Sequence, residues 1–182
     1  CPAGRHGLAT GVAQATECEV CPVGHFCLNG AIDPTSCPAG RFGSEAGRED
    51  AQCSGPCARG HYCEASSTNA TAASCAAGRF NPSEGMGSNT SCLLCPKGKF
   101  CVDGASSAEE CPEHSFGATE GLPSRACSGE CNRATQRCPP GTVRPIPDEC
   151  AAGTYKHDDE EVCVACWSGH FCPSGVEVPT PC

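Results

Sequence analysis

The spacing of the cysteines constrains this chain more than any other feature. The numbers of residues between successive cysteines run 16, 2, 5, 9, then 15, 3, 5, 11, then 16, 2, 5, 9, then 15, 3, 6, 11, then 12, 2, 5, 9. A four-cysteine unit is thus repeated five times, starting at Cys1, Cys37, Cys75, Cys111 and Cys150. Alternate units match best, so the true period is a pair of units. Self-similarity at a fixed period is the signature of a one-dimensional array in which each unit touches mainly its neighbours. It predicts an elongated tandem-repeat rod with divisions at residues 1–36, 37–74, 75–110, 111–149 and 150–182.

A finer half-repeat of the form Cys-x-x-Gly-x-aromatic lies inside each unit, as in CPVGHF at 21–26, CPAGRF at 37–42 and CPKGKF at 95–100. Counting five residues on from its first cysteine reaches Phe26, Phe42, Tyr62, Phe80, Phe100, Phe116, Tyr155 and Phe171, with His6 and Gln136 as the departures. Nearly every aromatic of the chain therefore occupies one structural position. The glycine three residues after the cysteine suits a tight turn with φ > 0, and the residues after it suit a short strand whose side chains alternate. The aromatic is expected to pack on a cystine, with the residue before it facing outwards.

Composition agrees with a fold that has no ordinary core. The 182 residues include 21 Cys, 22 Gly and 16 Pro but only one Met, one Trp, two Tyr and six Phe. So much Gly and Pro disfavours long helices and central strands. The expected fold class is small, disulfide-rich and mostly coil, with short β-hairpins and little or no helix. Thiols at this density call for an oxidising compartment, and a chain this poor in apolar residues needs cystines to hold it. An extracellular or secretory-pathway location follows. No apolar run approaches the ~20 residues of a membrane helix, so no membrane insertion is expected. Twelve Lys and Arg against 21 Asp and Glu give a net charge of −9, which disfavours a nucleic-acid partner. The chain begins at Cys1 with no leader and carries an odd number of cysteines, so it is expected to be a segment of something longer.

Two repeating disulfide pairings satisfy the spacing. The shorter gaps predict an interleaved module: Cys18–Cys27 with Cys21–Cys37, Cys53–Cys63 with Cys57–Cys75, Cys92–Cys101 with Cys95–Cys111, Cys127–Cys138 with Cys131–Cys150, and Cys163–Cys172 with Cys166–Cys182. This leaves Cys1 over. The alternative is sequential, beginning Cys1–Cys18 and Cys21–Cys27, and leaves Cys182 over.

The run CPAGRFG at 37–43 and the pair CLLC at 92–95 resemble the ephrin-receptor-like cysteine-rich repeat, and more distantly the TNF-receptor cysteine-rich module. The resemblance covers all 182 residues. Two features depart from the family pattern: the extra cysteine after the aromatic (Cys27, Cys63, Cys101, Cys172), and the single Cys37, Cys75, Cys111 and Cys150 where the family has a pair. Family connectivity is therefore not carried over. Arrays of this kind occur in large surface proteins of protists and algae, where the resemblance implies adhesion or scaffolding and no catalysis.

Residues with possible chemistry were weighed against plainer roles. Cys18/Cys21, Cys92/Cys95 and Cys163/Cys166 have zinc-ligand spacing, but CSGPC at 53–57 and CSGEC at 127–131 break the pattern, and no metal or cofactor is expected. His25, His61 and His170 stand where Arg5, Arg41, Arg79 and Lys99 stand in other half-repeats, a ladder that suits solvated strand positions better than a pH switch or a glycan-binding face. The run His157–Glu161 reads as a solvated loop rather than a calcium site. Asn69-Ala70-Thr71 and Asn89-Thr90-Ser91 are N-glycosylation acceptors, whereas Asn81-Pro82-Ser83 is excluded by its proline. The fourth unit loses glycine and aromatic in CNRATQRCPPGTVRPIPDEC at 131–150 and gains Arg133, Arg137 and Arg144. With Trp167, the aromatic outside the repeat, Arg133 and Arg137 form a candidate ligand face.

No nucleophile, base and acid occur at catalytic spacing, so no enzyme is expected. The expected function is an extracellular structural or adhesive stalk, or a filament-forming segment. Its partners would be other cell-surface proteins, further copies of itself, or glycans. The alternative is a receptor-like module that binds a protein or glycan ligand.

Overall fold

A computed structural model describes residues 1–7, 14–156 and 162–182. Among these, the strands form ten two-stranded antiparallel hairpins, and one isolated parallel bridge joins Phe100 and Leu122. Two single turns of 3-10 helix, Ala15–Glu17 and Asn89–Ser91, are the helical elements among the described residues, which include no α-helix. The chain is small, disulfide-rich and mostly coil.

Each half-repeat is one hairpin. The cysteine opens a turn whose third residue takes a left-handed conformation at Gly4, Gly24, Gly40, Gly60, Gly78, Gly98, Gly153 and Gly169. His114 adopts the same conformation, φ 70°, where the fourth unit lacks the glycine. The two-residue strand that follows carries the aromatic, which pairs with the residue two before the next opening cysteine. Phe26 faces Thr35, Tyr62 faces Ala73, and Phe171 faces Thr180. The fourth unit slips by one, with Gln136 opposite Pro147, three residues before Cys150.

The sequential disulfide pairing is the one observed, and the interleaved expectation is corrected. Cys1–Cys18, Cys37–Cys53, Cys75–Cys92, Cys111–Cys127 and Cys150–Cys163 each span one hairpin. Cys21–Cys27, Cys57–Cys63, Cys95–Cys101, Cys131–Cys138 and Cys166–Cys172 clamp the turn and first strand of the next. Cys182, exposed, is left over. The physical reason is that the hairpin, not the cluster of short gaps, is the folding unit. Pairing strand to strand brings Cys1 beside Cys18 at a Cα separation of 5.7 Å, and the turn brings Cys21 beside Cys27 at 5.8 Å. On the chain-entropy account the longer loops stabilise by about 3 kcal/mol each and the shorter by about 2 kcal/mol.

The described residues divide into two compact units, one of residues 1–95 with 101–108 and one of residues 96–100 with 109–182. Within each, a backbone ladder joins successive half-repeats. In the first unit the turn N–H groups of Gly4, Gly24, Gly40, Gly60 and Gly78 donate to the carbonyls of Cys27, Gly43, Cys63, Asn81 and Cys101, all at 2.7–2.8 Å. The next opening cysteine donates back, as from Cys21, Cys37 and Cys57 to the carbonyls of Gly4, Gly24 and Gly40. In the second unit the same bonds run from Gly98 to Gly117, from His114 to Cys138 and from Gly153 to Cys172. The series omits Ala134, whose N–H turns instead to Asn132 Oδ1.

A second left-handed residue recurs nine or ten positions after the opening cysteine, at Gly30, Gly47, Ser66, Gly85, Gly104, Gly121, Gly141 and Gly175. Its carbonyl presses on the turn glycine two half-repeats back. A Cβ on Gly4 would lie 2.6 Å from the carbonyl oxygen of Gly47, and one on Gly24 2.5 Å from that of Ser66. A Cβ on Gly60 would collide likewise with Gly104, whereas around Gly153 and Gly169 nothing lies within 4 Å.

The buried side chains are chiefly the cystines themselves. Phe26 packs on the Cys37–Cys53 bridge, and Phe100 packs with Leu122 on Cys111 and Cys127. The aromatic position thus closes one half-repeat onto the bridge of the next, and is buried at Phe26, Phe100 and Tyr155. His6 fills the position buried, while Phe171 is 52% exposed.

Two measurements check this arrangement. Non-reducing peptide mapping is expected to return the ten sequential pairs, with Cys182 absent from them. In guanidinium unfolding, Gly153→Ala is expected to lose only the left-handed cost of about 1–2 kcal/mol. Gly60→Ala is expected to lose a further ~1–3 kcal/mol through overpacking against Gly104.

Candidate functional site

The loss of the repeat pattern in the fourth unit is what builds the candidate site. With neither glycine nor aromatic available, Asn132 organises the turn: its Oδ1 accepts the Ala134 N–H at 3.1 Å and its carbonyl accepts those of Thr135 and Gln136. Gln136 answers by accepting the Asn132 N–H on Oε1 at 3.1 Å. Ile146 on the partner strand is buried. The hairpin so formed exposes Arg133 and Arg137.

Both arginines line one cavity of about 380 Å³, together with Glu113, His114, Gln136 and Asp148. A neighbouring cavity of about 240 Å³ shares Glu113, His114 and Arg133 and adds Arg125 and Glu130. The Glu113 carboxylate lies 3.8 Å from His114 Nε2. Carboxylates and guanidinium groups therefore both line the site. Such a lining favours a polar partner carrying both signs over a polyanion.

Trp167 is placed elsewhere. Its ring meets Tyr155 edge-on at 5.6 Å and His170 at 5.7 Å, and 57% of the residue stays exposed. Trp167 is not among the residues that line the Arg133–Arg137 cavity.

The ladder of cations before the aromatic divides by hairpin type. Arg5, Arg41 and Arg79 each donate through Nη1 to a carbonyl across the hairpin, that of Cys18, Gln52 or Cys92, at 2.7–2.9 Å. His25, His61 and His170 instead turn Nδ1 to the carbonyl two residues back, at 3.0–3.3 Å. These contacts make the side chains local braces. Ser115 departs from the expected outward position: it is buried, with Oγ donating to the Pro112 carbonyl at 2.7 Å.

Cys18, Cys21, Cys92, Cys95, Cys163 and Cys166 all lie in disulfides, so their spacing holds no zinc. Among the described residues, no group of three His, Cys, Asp or Glu side chains could hold a metal ion. The run 157–161, weighed as a calcium site, lies outside the described residues.

Both glycosylation acceptors are exposed. Asn69 sits in an Asx turn, its Oδ1 accepting the Thr71 N–H at 3.0 Å, and Asn89 opens the 3-10 turn Asn89–Ser91. Asn81, by contrast, is 1% exposed and works as a backbone splint. Its Nδ2 donates to the His61 carbonyl at 3.2 Å, its Oδ1 accepts the Ser83 N–H, and its own carbonyl and N–H join Gly60 and Ala105. The sequence signalled this residue only by placing an asparagine where other half-repeats have Gly, Cys, Arg or Lys.

No protein-family model and no curated protein matches the chain.

Replacing Asn81 by Ala strands the Ser83 N–H and the His61 carbonyl. A stability loss of about 1–3 kcal/mol is expected. Asn69→Ala, on the surface, is expected to lose less than about 0.5 kcal/mol, and chemical denaturation of the two variants distinguishes them.

Proposed function

We propose that the chain is an extracellular structural or adhesive segment, a stalk that spaces other domains or assembles side by side into a filament or coat. The observation that carries this reading is the recurrence of one backbone ladder and one cystine pattern from hairpin to hairpin. Glycines and aromatics join neighbouring half-repeats while cystines and arginines brace each hairpin from within, and cysteine-dense chains are stable only where thiols oxidise. No helix among the described residues is long and apolar enough to cross a membrane. In this reading the segment carries out no catalysis.

A receptor-like module is the second reading, favoured by the irregular fourth unit that brings Arg133 and Arg137 into one cavity. Its partner would be a protein or glycan with mixed charge.

Electron microscopy and small-angle scattering of the protein as secreted test the first reading. Thin threads or lateral bundles are expected, dispersing when disulfides are reduced. Isolated compact particles near the globular expectation for 182 residues, a radius of gyration of about 16 Å, would overturn it. Saturable capture of a soluble ligand that disappears in Arg133→Glu and Arg137→Glu variants would establish the second reading instead.

A further inference from the structure

A groove of about 500 Å³ runs between two half-repeats of the first compact unit, lined among others by Tyr62, Ser74, Arg79, Asn89 and Thr90. Its size falls in the range of about 300–1,000 Å³ typical of small-ligand sites. One wall is the half-buried ring of Tyr62, held on its strand opposite Ala73. The other wall is the 3-10 turn Asn89–Ser91, which recurs at Ala15–Glu17 but carries an acceptor asparagine only in the third unit. Arg79 stands between them, with Nη1 fixed on the Cys92 carbonyl. A guanidinium has five N–H donors, so others are left to bond a ligand. Ser74 Oγ is committed to Asp103.

We propose that Asn89 carries an N-linked glycan whose first N-acetylglucosamine lies in this groove against Tyr62. The inference rests on the secretory location given above. A hexosamine suits the lining: the C–H face of the sugar covers the aromatic ring, while its hydroxyl and acetamido oxygens meet Arg79 and Thr90. The attachment takes a polyprenyl-pyrophosphate-linked oligosaccharide as donor. Asn89 Nδ2 forms a bond to sugar C1 as the C1–oxygen bond to pyrophosphate breaks; Nδ2 loses a proton, and the lipid pyrophosphate leaves. The tethered sugar then occupies a surface that would otherwise leave the Tyr62 ring open to water. Asn69, itself exposed, supplies an internal control for attachment without a groove.

The test is glycopeptide mapping of the secreted protein, with release by an amidase from the native fold. Glycan is expected at Asn89, and its native release is expected to be about two- to tenfold slower than at Asn69, the protection one aromatic contact gives. Tyr62→Leu should remove the difference and Tyr62→Phe should keep it. A measurement on unaltered protein guards against misfolded variants: the acetamido methyl resonance of the Asn89 sugar should shift upfield through the Tyr62 ring current. Asn89 bare overturns this proposal, and the secretory reading stands as long as the ten disulfides are found; free thiols at those cysteines, with both sites bare, would overturn the two together. Both sites modified, with equal release and no upfield shift, overturns the groove.

Discussion

The close approach of backbone to backbone at the turn glycines is the constraint on which the rest of the structure depends. At Gly4, Gly24, Gly40, Gly60 and Gly98, the carbonyl of a residue two half-repeats away fills the place of a side chain. At the same turns the N–H reaches the following hairpin and the opening cysteine of that hairpin donates back. A Cβ at Gly60 would collide with the Gly104 carbonyl oxygen, so a side chain there would push the two segments apart. Disulfides fix each hairpin and the ladder joins one hairpin to the next, so a chain with six Phe and one Trp needs no conventional core.

The two kinds of bridge divide the work. Bridges such as Cys37–Cys53 span a hairpin and offer sulfur as the surface on which the preceding aromatic packs, as Phe26 does. Bridges such as Cys57–Cys63 stiffen the turn that presents the next pair of bonds. Where the aromatic has no following bridge against it, as at Phe171, it stays exposed. The fourth unit shows how far the design bends: His114 adopts the left-handed turn without being glycine, and Asn132 organises a turn that has no glycine. The register slips by one there, and Arg133 and Arg137 meet in one cavity as a result.

Much of this was legible in the sequence, because a hairpin of two-residue strands is a local structure and its signals are local. The Cys-x-x-Gly-x-aromatic pattern located the turns at Gly24, Gly40, Gly60, Gly78, Gly98, Gly153 and Gly169 and the short strand that carries the aromatic. Spacing alone, however, could not choose between the two cystine pairings. The gap of two between Cys18 and Cys21 reads as a tight cluster along the chain, yet it is the junction between two hairpins. The second left-handed position escaped notice because its distance from the cysteine alternates between nine and ten residues and includes Ser66.

The sequence by itself determined the repeat, the disulfide-rich class and the turn positions, since these follow from residue types that each permit few conformations. Tertiary structure alone decided which cysteines meet, that Asn81 is a buried splint, and that Arg133 and Arg137 share a cavity without Trp167. Those outcomes depend on where strand pairing and the interlocking of non-adjacent half-repeats carry each side chain. That distance in space is not encoded in distance along the chain.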